Sequence, residues 1–193
     1  MENPPLHSNW HLPVDNHNIS RMSQLVITAV GPDRPGIVGE LTAQLHRGGA
    51  NILDSRMVNL RGEFAMLILL EAEDAAAEQL QRQLSDTGQA IGLRLSVSQL
   101  HTGTRVCGLP FRLKTYSMDQ PGIVARISQV LGEFGVNIEE LSARQESAPF
   151  DGSPLFLTEM RLTVPATVSL GKLRSNLESV SASLNCDIDL DPA

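Results

Sequence analysis

From residue 24 onward, short apolar runs of strand type alternate with apolar stripes of helical spacing. "QLVITAV" (24–30) is a β-branched run that reads as a buried strand. Ile37, Val38, Leu41 and Leu45 then recur at helical spacing, and Gly48-Gly49 end that helix. "ANILDSRMVNL" (50–60) and "EFAMLILLEA" (63–72) read as two strands joined by a turn near Arg61-Gly62. A second helix is expected from about Asp74 to Asp86, with Ala77, Leu80 and Leu84 on its apolar face. "GLRLSVSQL" (92–100) alternates with period two and closes the series as a strand.

The same order returns further along. "PFRLKTYS" is a strand, and Ile123, Val124, Ile127, Val130, Leu131 and Phe134 mark a helix. "VNIEELSARQ" and "LFLTEMRLTV" are strands separated by the turn-rich "ESAPFDGSP". Leu170, Leu173, Leu177, Val180 and Leu184 mark the last helix, and "CDIDL" the last strand. Direct alignment shows why the order repeats. "DRPGIVGELTAQLHRGGANI" (33–52) and "DQPGIVARISQVLGEFGVNI" (119–138) share nine of twenty positions without a gap. The chain is a tandem duplication.

Two βαββαβ units follow, each an α+β ferredoxin-like sheet with both helices on one face. The expected division is an N-terminal extension over 1–22, units over 23–100 and 110–193, and a linker over 101–109. Pro4-Pro5, Pro13 and the Asn- and His-rich composition make the extension flexible, with Met22 an alternative start. Trp10 lies in it, as do His7, His11 and His17, which lack the pairing of metal ligands.

The formal charge is −7, and both halves are acidic: seven Lys/Arg against eleven Asp/Glu over 1–104, eight against eleven over 105–193. No basic stripe is available to neutralise phosphates, which excludes strong direct nucleic-acid binding. No apolar run reaches the length of a membrane span, and no signal-peptide core opens the chain. Cys107 and Cys186 show neither zinc nor redox spacing and read as buried thiols of a reducing cytoplasm. His46 reads as a surface residue and His101 falls in the linker. No nucleophile elbow, P-loop or dinucleotide fingerprint occurs, so the chain reads as a non-enzyme without a metal or cofactor.

The repeated Asp-x-Pro-Gly turn is where a ligand site is expected. Proline is favoured at the first helical position, and Asp33 stands where it can cap the helix or favour its dipole. Gly36 leaves room for a ligand, and free amides at a helix start suit a carboxylate. A purely structural reading stands beside this one: Pro and Gly start the helix and pack it on the sheet. Asn51 and Asn137 open strands two residues after a helix-ending glycine, where they either satisfy loop backbone or meet a ligand.

The βαββαβ order with "GPDRPGIV" and "GANI" resembles the ACT domain, a small regulatory module that often binds amino acids at interfaces between domains. Both copies match, over about 23–191. The run from "LVITAVGPDRPGIV" to "MLILL" is more narrowly similar to the tandem ACT group that includes glycine cleavage repressors. Carried over, the ligand site comprises Asp33, Arg34, Pro35, Gly36, Ile37, Val38, Asn51 and Ile52. Its second copy comprises Asp119, Gln120, Pro121, Gly122, Ile123, Val124, Asn137 and Ile138. The copies differ at Arg34 against Gln120 and Gly39 against Ala125, so they need not bind equally.

The resemblance implies an amino-acid-responsive transcriptional repressor of the glycine cleavage system, with glycine or serine as effector. It implies action through a LysR-type activator rather than through DNA, a ligand at a domain junction, and a homodimer. An interaction module without a small ligand is the alternative. Formyltetrahydrofolate deformylase carries a similar segment, but its catalysis needs a further domain.

Overall fold

The computed structural model describes residues 21–100, 106–118, 120–147 and 154–193. The readings made for the N-terminal extension, His101, Asp119 and the centre of the "ESAPFDGSP" turn lie outside these residues. Among the described residues the element order is β1 (Met22–Pro32), α1 (Ile37–Arg47), β2 (Asn51–Leu60), β3 (Glu63–Glu73), α2 (Asp74–Ile91) and β4 (Arg94–Gln99). There follow β5 (Gly108–Met118), α3 (Ile123–Glu133), β6 (Asn137–Ser147), β7 (Pro154–Pro165), α4 (Leu170–Ser183) and β8 (Cys186–Pro192). The chain divides into two compact units, one carrying β1–β4 and the other β5–β8.

Each unit is a four-stranded antiparallel sheet, ordered β2-β3-β1-β4 in the first and β6-β7-β5-β8 in the second. Alternation places Leu25, Ile27 and Ala29 of β1 and Phe64, Met66, Ile68 and Leu70 of β3 on the covered face. Ile37, Leu41 and Leu45 of α1 and Ala77, Leu80 and Leu84 of α2 close over them in one core. In the second unit Phe111, Leu113, Met160, Leu162 and Val164 meet Ile123, Ile127, Leu131, Leu173 and Leu177. The expected α+β architecture, with both helices on one face of each sheet, is the one observed.

Four local readings are corrected. Cys107, expected as a buried thiol, is exposed, whereas Cys186 is buried. Val38 was expected on the apolar stripe of α1 but is 36% exposed, on the side of the helix away from the core. Leu170, at the first turn of α4, is likewise 36% exposed. The second helix does not stop at Asp86 but runs to Ile91. Gly88 looks like a breaker in the sequence; it is buried, and a Cβ there would lie 2.5 Å from the Leu93 carbonyl oxygen. There α2 lies against the chain at Leu93 and Leu95.

Both sheets are irregular at the same place. Register shifts between Ile52 and Asp54 against β3, and between Ile138 and Glu140 against β7. Leu53 and Glu139 are the extra residues of the two bulges, equivalent positions in the two copies. A bulge re-aims the side chain it carries.

Candidate functional site

The turn after the first strand is built alike in both units. Pro35 precedes Gly36, which sits at φ 87° and ψ −8°, and the Ile37 amide donates to the Arg34 carbonyl at 3.3 Å. Proline followed by a residue near φ +80°, ψ 0° defines a type II turn. Gly122, after Pro121, repeats it at φ 94° and ψ −1°. Only glycine adopts this geometry without strain, which accounts for its recurrence. The carbonyls of Gly36 and Gly122 accept from the Glu40 and Arg126 amides, both at 3.0 Å, and Ile37 and Ile123 are the first helical residues.

Two expectations about this turn are therefore corrected. Pro35 lies in the turn and not at the first helical position, because the left-handed glycine intervenes. Asp33 does not cap α1: no side chain bonds to the start of the helix. The turn leaves the Asp33 carboxylate facing the β2–β3 hairpin, where it accepts from the Asn59 side-chain amide. Asn59 Oδ1 in turn accepts from the Gly62 amide at 3.2 Å, and the Asp33 amide donates to the Gly62 carbonyl at 2.8 Å.

Arg34 and Gln120, which differ between the copies, perform one structural task. The Arg34 guanidinium donates to both Glu40 carboxylate oxygens at 2.6 Å and to the Ile91 carbonyl at 3.2 Å. The Gln120 side chain donates to the Leu184 carbonyl. Ile91 ends α2 and Leu184 caps α4, so each side chain satisfies a carbonyl that a helix end leaves without an internal partner. The hydrogen bond from Arg34, and secondarily its charge, hold the Glu40 carboxyl below its usual range. A carboxylate thus already stands in the first turn of α1, where the helix dipole favours an anion. In α3 the equivalent residue is Arg126, and the first turn contains no acid.

Asn51 and Asn137 lie elsewhere. Asn51 pairs with Glu71, and its side-chain amide donates to the Glu71 carboxylate at 3.2 Å. The turn end of the same sheet is marked by Pro32 opposite Glu63. Eight residues of β3 separate the two, a span of about 27 Å. In the second unit Met118 pairs with Leu155 and Asn137 with Thr163, which gives the same separation. The turn residues and the asparagines are therefore not brought together within a unit. One small molecule held inside a unit touches one set or the other.

The asparagine ends of the two units differ. The first has a shallow groove of about 370 Å³ bordered by Thr42, His46, Asn51 and Ile52. Ile52 is 37% exposed. The second has a cleft of about 650 Å³ lined by Val106, Pro110, Asn137, Glu139, Arg161 and Thr163, among others. There the bulge residue Glu139 accepts from the Asn137 amide at 2.7 Å and from the Thr163 hydroxyl at 2.8 Å, both at Oε1. Arg161 lies 3.4 Å from Glu140. Ile138, half-buried, packs against the core beneath. Glu139, Arg161 and Thr163 were absent from the residues expected at the site. Their signal in the sequence is the polar period-two series Glu159, Arg161, Thr163, which stands against Leu67, Leu69, Glu71 in the first copy.

Among the described residues no three His, Cys, Asp or Glu side chains are grouped to hold a metal ion, and no helix is long and apolar enough to cross a membrane. A family model described as the ACT domain matches residues 23–98. The glycine cleavage system transcriptional repressor of Escherichia coli (strain K12) is 27% identical over 169 residues, which span 86% of this chain and 88% of the repressor. The UPF0237 protein of Methanococcus maripaludis is 36% identical over 78 residues, covering 39% of this chain and 87% of that protein. The crystal structure of an unknown protein from Galdieria sulphuraria, 29% identical, aligns with a TM-score of 0.77 over 90% of this chain and 99% of its own. The βαββαβ order, the turn and these matches lead to one conclusion: the chain belongs to the ACT domain family, its second unit repeating the fold and turn of the first.

Proposed function

We propose that this chain is an amino-acid-responsive regulatory protein that represses transcription of a glycine cleavage system indirectly, by binding a transcription activator. The observation that carries this reading is the match to the Escherichia coli repressor through both units, 86% of this chain. The activator is of LysR type, the effector is glycine or serine, and the protein works in the cytoplasm as a homodimer. A formal charge of −7 without a basic stripe supports contact with a protein rather than with DNA. Regulation then requires that the effector bind the partner-bound and free forms with different affinity.

A second reading, an assembly module without a small ligand, draws support from the turn of the first unit. There Asp33, Arg34 and Glu40 are all engaged with the protein itself. One experiment separates the two. The purified chain is mixed with a LysR-type activator bound to its operator, and retention on the activator is measured with and without 10 to 20 mM glycine or serine. Retention that the amino acid abolishes supports the sensor. Retention indifferent to both amino acids supports the assembly module, and no retention at all removes the activator from the account.

A further inference from the structure

We propose that the second unit binds internal water between its sheet and its helices, held by the hydroxyls of Thr115, Ser117 and Thr158 beside the Cys186 thiol. Three features carry this inference.

The first is the cluster of hydroxyls itself. Thr115, Ser117 and Thr158 are 0, 5 and 2% exposed, yet Thr115 Oγ1, Ser117 Oγ and Thr158 Oγ1 have no hydrogen-bond partner in the protein. A hydroxyl left unpaired in a core opposes folding, so three together call for a polar occupant. Cys186, opposite Ser117 on β8, does not fill that role. Burial pushes its thiol above the usual range, and the neighbouring Thr115 and Ser117 hydroxyls draw it back. Its S–H donates to the Asp187 carbonyl at 3.3 Å, and sulfur is too weak an acceptor to satisfy the hydroxyls.

The second is that the first unit is apolar at the same four places. By register, Ala29, Gly31, Met66 and Leu93 stand where the second unit has Thr115, Ser117, Thr158 and Cys186. Ala29, Met66 and Leu93 belong to the first core. The polar layer is therefore a property of one copy and not of the fold.

The third is room. Met66 and Leu93 extend past their γ atoms, and Leu93 fills the space above Gly31, where a Cβ would lie 2.9 Å from its side chain. None of the four residues in the second unit extends past its γ atom. Counting back from Gly92 and Asn185, the left-handed residues after the helices, Ser181 stands where α2 has Gly88. A Cβ at Gly88 would lie 2.5 Å from the Leu93 carbonyl oxygen, so a helix with serine there cannot lie as close to the strand that follows. Thr115 and Thr158 are directly opposite each other, their Cβ atoms about 5 Å apart, a gap that one water spans with a bond to each. Ser117 is two residues further along β5, about 7 Å away, within reach of a second water bonded to the first.

The test is NMR detection of bound water in the full chain. Cross-relaxation from long-lived water is expected at the methyl protons of Thr115 and Thr158 and the β protons of Ser117, and not at Ala29 or Met66. Thr115→Val and Thr158→Val keep the side-chain shape and remove one hydroxyl each. Each should lower the melting temperature, followed by circular dichroism, by about 2–4 °C, because water loses a partner. The double variant should lose less than the sum of the two, since both ends of one bridge are gone. Absence of water contact at these side chains overturns the site. A melting temperature unchanged or raised in the single variants does the same, because it means that the hydroxyls held nothing. Losses that add in full overturn the bridge between Thr115 and Thr158.

Discussion

Arg34 and Gln120 show how much a single position can change while its task stays the same. One is a cation and the other a neutral amide, yet each donates to the carbonyl end of a helix in its own unit. Sequence comparison marks the pair as a difference and so as a reason to expect unequal ligand binding; the fold assigns both a structural bond. Their partners lie 57 and 64 positions away, beyond the reach of any local pattern. A separation of 26 positions likewise hides Asn59 as the partner of Asp33, so the expected helix cap could not be distinguished from a hairpin contact. Glu40 gives a prediction at this scale. Its folded carboxyl is held below the usual range, chiefly by the hydrogen bond from Arg34. That contribution is present above the unfolded carboxyl range and is lost as pH falls through the lowered folded value. Melting temperatures of the parent and Glu40→Gln proteins should therefore differ near neutrality and converge on acidification. A constant difference down to low pH would show that the pair is not the source.

At the scale of elements, periodicity was sufficient for the twelve strands and helices of the described residues; most bury one face against a core, whereas β2 and β6 are exposed along almost their whole length. Where it failed, the cause was contact between elements. The reading ended α2 near Asp86, whereas the helix continues through Gly88, whose absent side chain lets it lie against the chain at Leu93 and Leu95. Gly88→Ala should destabilise the protein by roughly 1–3 kcal/mol through overpacking, despite the better helix propensity of alanine. Chemical denaturation measures this directly, and a stabilised variant would refute the close approach. The bulges are a second case. Nothing in "NILDS" or "NIEEL" announces an extra residue, yet register places one in each copy, and in the second it lifts Glu139 over the cleft. Of the ligand residues expected, the turn and the asparagines were legible as motifs; that they occupy opposite ends of a sheet follows only from strand register.

For the whole molecule, the duplication was plain in the sequence, and each copy has its own closed core. The faces that the helices leave uncovered have diverged. The first sheet presents Val26, Val30, Ala65, Leu67 and Leu69 there, with Leu67 49% exposed. The second presents Arg112 in place of Val26, Tyr116 in place of Val30, Leu157 in place of Ala65, Glu159 in place of Leu67 and Arg161 in place of Leu69, with Arg112 and Glu159 3.4 Å apart. Such divergence cannot be seen until pairing identifies which residues share a face. A self-contained core predicts that residues 21–100 fold alone, as the length of the Methanococcus maripaludis relative suggests. Denaturant unfolding of that fragment should give a single sigmoidal transition, since about 80 residues suffice for a marginal domain. A gradual, featureless loss of signal would mean that the first unit depends on the second.

The bond from each Asp-x-Pro-Gly turn to the far helix end bears on how a unit breathes. Helix termini fray first, and their amides exchange with solvent through openings that cost little. Here the last turn of α2 is fastened to the residues that launch α1, and the last turn of α4 to those that launch α3. Fraying at one end therefore loosens the other, so the two exchange as one cooperative segment rather than as independent termini. A ligand or partner that holds either end slows both.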